Sequence, residues 1–106
     1  MNKALSMLGL AKRAGKVVSG GFKSSQAVKS GQSRLIIIAS DISDNGKKSI
    51  VNTCRFYGVE YIELGMSQEL GKAIGEDTRM IVSVNDDSFK NAILSKIERI
   101  DEQYGR

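Results

Sequence analysis

Leu35-Ile36-Ile37-Ile38-Ala39 is an unbroken apolar run, closed off by the polar pair Ser40-Asp41. Successive side chains of a strand point to opposite sides of the sheet, so a half-solvated strand would alternate apolar with polar residues. This one does not alternate, and its three consecutive β-branched isoleucines need cover on both faces. It reads as the central strand of a sheet, with helices on both sides.

Upstream of the run, Ala4, Leu5, Leu8 and Ala11 share one side of a helix predicted over Lys3 to Ala14, with Lys3, Ser6, Gly9, Arg13 and Lys16 recurring on the other. Gly15 stops it, Val17-Val18 is a minimal strand, and Ser19-Gly20-Gly21 opens a second helix that runs to about Ser30, before Gly31. Downstream, Asp41 to Asn45 forms a turn. A third helix from about Gly46 to Tyr57 carries Ile50, Val51, Cys54 and Tyr57 on its apolar face. Val59 to Leu64 reads as an outer strand, and Ser67 is the expected cap of a short helix through Ile74. Met80 to Val84 is the last strand. From Asp86 a final helix spaces Phe89, Ile93, Ile97, Ile100 and Tyr104 at 4, 4, 3 and 4 residues.

Helices and strands that alternate to the end place the chain in the α/β class, as a three-layer α/β/α sandwich around a small, four-stranded mixed sheet. With 106 residues, no proline, no internal repeat and no low-complexity stretch, residues 1–106 are expected to form a single domain. No apolar run approaches a membrane span, and the basic residues near the start are scattered among apolar ones; a cytoplasmic protein without a membrane partner is expected.

One cysteine and no histidine remove disulfide frameworks, Cys/His zinc sites and imidazole chemistry, so neither metal nor cofactor is expected. Cys54 lies mid-helix on an apolar face and reads as core. Asp41, at the end of the central strand, could bind a metal or a ribose, but an acid in a helix-leading turn is more simply a cap. Asp86-Asp87 and Glu76-Asp77 lie at a helix start and in a turn, where the macrodipole and solvent account for them. No acid/base constellation remains, and no enzymatic activity is expected.

The charge is unevenly distributed. The net +4 comes from 16 Lys/Arg against 12 Asp/Glu, yet residues 1–34 hold seven cations (Lys3, Lys12, Arg13, Lys16, Lys23, Lys29, Arg34) and no acid. The remainder has nine cations and twelve acids, a net of −3. Such asymmetry suits a face that meets a polyanion, although solvated lysines on amphipathic helices give the same count. The strand-to-helix junction Ser19-Gly20-Gly21-Phe22-Lys23-Ser24-Ser25 adds a structural reason. Its glycines let a polyanion approach the backbone, the first helical turn exposes N–H donors, and Lys23, Ser24 and Ser25 add side-chain donors. It matches neither the Walker pattern nor the dinucleotide fingerprint. Lys16 and Lys29 are expected to cluster around it.

Several strings, in order, carry a resemblance. They are Leu8 through Gly20 (LGLAKRAGKVVSG), Ala27-Val28-Lys29-Ser30-Gly31, Arg34 through Asp41 (RLIIIASD), and Leu70 through Gly75 (LGKAIG). Together they make the chain similar to the kink-turn RNA-binding family of ribosomal protein L-seven-Ae. Asn45-Gly46-Lys47-Lys48 through Cys54-Arg55-Phe56-Tyr57 further resembles its bacterial YlxQ-like group. The resemblance covers the chain to about Asp87. It implies an α/β/α sandwich that binds kinked RNA, ribosomal or otherwise structured, with the start of the second helix and nearby loops.

By that resemblance Gly20 is the family's glycine. Phe22, Lys23 and Gln26 stand where archaeal and eukaryotic members have Asn, Glu and Lys. Ser43 and Lys47 match a nucleotide-contacting turn and helix start, and Gln68 takes a position where lysine is common. The loop after Gly75 reads Glu76-Asp77-Thr78-Arg79; either Thr78 and Arg79 approach the RNA or the loop turns away. The candidate RNA-binding residues are therefore Lys16, Gly20, Gly21, Phe22, Lys23, Ser24, Gln26, Lys29, Lys47, Gln68, Thr78 and Arg79. The alternatives are a protein-interaction subunit of the same fold without specific RNA recognition, and a small nucleotide-binding domain using Gly20-Gly21 and Asp41.

Overall fold

The computed structural model describes residues 2–105, with side chains through Ile97. The elements are α1 (Lys3–Arg13), β1 (Val17–Ser19), α2 (Gly21–Lys29), β2 (Leu35–Ile38), α3 (Asp44–Tyr57), β3 (Glu60–Glu63), α4 (Ser67–Ala73), β4 (Ile81–Val84) and α5 (Asp87–Gly105). The strand order is β1-β4-β2-β3. β2 and β3 pair in parallel, Leu35 opposite Glu60, and β4 runs antiparallel to both neighbours, with Val84 opposite Val17 on one side and Leu35 on the other. The sheet is thus small and mixed, as expected.

The alternation inside β2 shows why its run is continuous. Leu35 and Ile37 enter one core with Ala4, Leu5, Leu8 and Ala11 of α1, Leu70 and Ile74 around α4, and Ile93 of α5. Ile36 and Ile38 enter a second core with Val28 of α2 and Ile50 and Cys54 of α3. All four strand residues are fully buried. Each such Leu or Ile contributes about 1.5–3 kcal/mol relative to an exposed position, which commits both faces of the strand to the interior. α1, α4 and α5 form one outer layer and α2 and α3 the other.

Most helix boundaries follow capping chemistry. Asn2 Oδ1 accepts the Leu5 N–H at 2.8 Å, and Ser43 Oγ accepts the Gly46 N–H at 3.1 Å, so α3 starts two residues earlier than the apolar pattern predicts. Asp86 accepts the Phe89 N–H at 2.9 Å and stands just outside α5. Ser67 is not a cap: it is the first residue of α4, Met66 precedes it, and Glu69 accepts the Met66 N–H at 2.8 Å. The expected contacts of Ile100 and Tyr104 fall outside the described side chains.

Cys54 has no exposed surface, and burial pushes its thiol up to about 11. The thiolate is the reactive form, so Cys54 should be inert in the folded protein. Labelling with a disulfide reagent at pH 8 is expected to be complete at once in urea and, in the native state, to proceed only as the fold opens. Labelling of the native protein within the mixing time would contradict this placement.

Candidate nucleic-acid interface

β1, β2 and β3 run in one direction and β4 in the other. The carboxyl ends of three strands and the start of β4 therefore share one edge of the sheet, where α2, α3 and α4 also begin. Unpaired N–H groups and the positive ends of these helices face that edge, as at the ligand-binding edges of other α/β sheets.

Gly20 anchors the edge. Its backbone sits at φ 94°, ψ 153°, a region open to glycine alone. In that conformation its N–H donates to the Ile81 carbonyl at 2.8 Å while its own carbonyl accepts the Ser24 N–H at 3.0 Å, joining β1, β4 and the first turn of α2. Gly21, Phe22, Lys23 and Gln26 are exposed on α2, Phe22 at 77%. Ser24, expected as a donor, lies instead among the buried residues of α2 with Ala27 and Val28, has no exposed surface, and so cannot meet a ligand.

Arg79 joins the loop before β4 to this junction. Its Nε donates to Ser19 Oγ at 3.1 Å and its Nη2 to Glu76 at 3.1 Å, while its backbone N–H donates to the Ser67 carbonyl at 3.0 Å. Glu76 also pairs with Lys12 at 3.8 Å. Two cations thus offset its carboxylate, and Arg79 stands beside Gly20. Thr78 is exposed and lines a shallow cleft with Gln68 between α4 and the loop.

The middle of the edge is stitched by Asp41. Its carboxylate accepts the backbone N–H of Ser67 at 2.8 Å and the Ser67 hydroxyl at 2.6 Å, and these bonds hold the carboxyl below its ordinary range. Asp41 therefore caps α4, across the sheet edge, rather than the helix that follows it in sequence. Ser40 Oγ and N–H both donate to the Gly65 carbonyl, at 3.0 and 2.8 Å. Lys47, in the first turns of α3, is paired with Glu63, which raises its pKa.

Two predicted residues lie elsewhere. Lys16 precedes β1 at the end remote from Gly20, where its carbonyl accepts the Asn85 N–H at 2.8 Å. Lys29 ends α2, eight residues and about 12 Å along the helix from Gly21. It lines a cleft of about 320 Å³ with Arg34, Tyr57 and Lys90 at the opposite edge. The expected clustering of Lys16 and Lys29 around Gly20 is not found: one strand and one helix length separate them from it. Conversely, the edge carries Ser19, Met66 and Met80, the methionines 48% and 42% exposed, which no sequence periodicity marks. Among the described residues no three Cys, Asp or Glu side chains converge as metal ligands, and no helix is long and apolar enough to cross a membrane.

The chain is similar to known proteins. The pattern of the Ribosomal protein L7Ae/L30e/S12e/Gadd45 family matches residues 2–94. A Bacillus subtilis protein described as RNA-binding protein YlxQ is 34% identical over 92 residues, spanning 87% of this chain and 92% of its own. Large ribosomal subunit protein eL8 of Cenarchaeum symbiosum is 27% identical, over 100% of this chain and 88% of its own. Among solved structures, a Bacillus halodurans protein of unknown function superposes with a TM-score of 0.88 at 35% identity, covering 92% of this chain and 99% of that one. The Giardia lamblia 15.5kD RNA binding protein shares the fold, with a TM-score of 0.75 at 20% identity over 92% of this chain and 84% of its own. With a family pattern running from α1 into α5 and a relative matched over nearly its whole length, the chain belongs to the ribosomal protein L7Ae/L30e/S12e/Gadd45 family.

Proposed function

We propose that this protein is a non-enzymatic, cytoplasmic RNA-binding module that holds structured, kink-containing RNA, ribosomal RNA being the first candidate. The sheet edge that begins α2, α3 and α4 is the binding surface. The observation that carries the reading is the Gly20 junction: a backbone with no Cβ in the way, an open helix start, and Lys23 and Arg79 on either side. Phosphates would supply most of the affinity there, while Phe22 and Gln26 meet bases. Family membership, relatives named as RNA-binding proteins and likeness to a large-subunit ribosomal protein support it.

Fluorescence anisotropy with a kink-turn RNA and a plain duplex tests the proposal. Lys23→Glu is expected to weaken kink-turn binding by about tenfold or more and to lower the salt slope by about 1. Lys90→Glu should change little, because Lys90 lies at the opposite edge and already pairs with Glu60 at 3.0 Å. Equal effects of the two substitutions would overturn the site, and equal affinity for both RNAs would overturn the kink selectivity.

A further inference from the structure

The outer face of the α2–α3 layer is strongly basic. Between residues 21 and 59 the only acids are Asp41 and Asp44, both at the Gly20 edge, against Lys23, Lys29, Arg34, Lys47, Lys48 and Arg55. α2 buries Ala27 and Val28 and α3 buries Ile50 and Cys54, which turns Lys23, Gln26 and Lys29 of one helix and Lys48, Asn52 and Arg55 of the other outward. Among the described residues, Lys23, Lys29, Lys48 and Arg55 enter no ion pair.

This face ends in exposed aromatic rings. α3 is 14 residues long, about 21 Å, and its last two residues are Phe56, 82% exposed, and Tyr57, 46% exposed. Their rings meet edge to face, with centroids 4.9 Å apart and an interplanar angle of 74°. Tyr57 also lines the cleft that holds Lys29, Arg34 and Lys90. Two acids near that end are engaged with cations, Glu60 with Lys90 at 3.0 Å and Asp87 with Arg34 at 3.4 Å, and Asp86 accepts the Phe89 N–H. Unpaired cations along a face, with an aromatic platform at its end, make the layout that binds single-stranded nucleic acid: cations follow the phosphates and bases stack on the rings.

We infer that the RNA footprint extends beyond the Gly20 edge, and that a single strand flanking the structured element runs along the α2–α3 face and stacks a base on Phe56 and Tyr57. The inference rests on the RNA-binding reading above and adds to it a second contact, at the end of α3 remote from the Gly20 edge. A protein partner for the aromatic pair is the competing outcome.

The test compares a blunt kink-turn RNA with the same RNA carrying a single-stranded tail of about eight nucleotides on either end. The wild-type chain should bind one tailed RNA about tenfold more tightly than the blunt one, as expected for a stacked base and added phosphate contacts. Phe56→Ala should abolish that gain and leave blunt-RNA affinity unchanged. Because Phe56 is so exposed, the variant should fold, and Phe56→Trp should restore the gain. Lys48→Glu with Arg55→Glu should reduce the gain and flatten the salt dependence of the tailed RNA only. If tailed and blunt RNAs bind equally well while Lys23→Glu still weakens both, the extended footprint is wrong, the Gly20 site stands, and the aromatic pair is left to a protein partner. If neither RNA is bound, the inference falls together with the reading beneath it.

Discussion

Replacing Gly71 with alanine is expected to cost about 3 kcal/mol of stability, although Gly71 sits inside α4, where alanine is the better helix former by about 1 kcal/mol. Packing decides the sign. A Cβ on Gly71 would lie 1.4 Å from the Asp77 carbonyl oxygen and 2.5 Å from its carbon, and both atoms are backbone, with no side chain to swing aside. The Glu76 N–H, moreover, donates to the Gly71 carbonyl at 2.8 Å, so the loop is bonded to the residue it would have to leave. Retreat of the loop would also draw Arg79 away from Ser19. Urea denaturation should show a midpoint lowered by more than about 1 M. An unchanged midpoint would mean that the loop does not pack on α4 as described.

Gly20→Ala is the second large effect, and its origin differs. No atom lies within 4 Å of the added Cβ, so sterics with neighbours contribute nothing. The cost is the backbone conformation itself, about 1–3 kcal/mol at φ 94°, ψ 153°. The chain can relieve that strain only by rotating the peptide, which breaks the Gly20 to Ile81 bond and the Ser24 to Gly20 bond and swings the first turn of α2. A stability loss of about 2 kcal/mol is therefore expected together with a fall in RNA affinity of at least about tenfold. A variant as stable as the wild type would contradict the conformation. One that loses stability but keeps full affinity would separate Gly20 from the binding surface.

The layered fold was legible because local rules and tertiary context agree. Ile36, Ile37 and Ile38 are buried because β2 is covered on both sides, and the continuity of the run already demanded that cover. The strand-to-helix junction at Gly20 was legible too, since two glycines between an apolar pair and an amphipathic segment mark the change of element. What remained hidden depends on contacts across long sequence separations. Asp41 binds Ser67, 26 residues away, and Arg79 reaches Ser19, 60 residues away; no spacing within a helix or strand announces either. Lys16 and Lys29 looked like neighbours of Gly20 because they are close in sequence, but a strand and a helix carry them to the far edge. Ser24 looked like a donor, and it is turned inward by the helical period that also buries Ala27 and Val28.

The strand order has a consequence for how the chain comes into being. β4 lies between β1 and β2, so Val17 and Leu35 both wait for Val84. A chain emerging from its N-terminus can pair β2 with β3, but one edge of Leu35-Ile36-Ile37-Ile38 stays open, and β1 stays single, until nearly four-fifths of the sequence has been made. At about 5–20 residues per second, that is a delay of several seconds in which the most apolar strand is a template for stray pairing. The last strand to be synthesised is the one that closes the sheet.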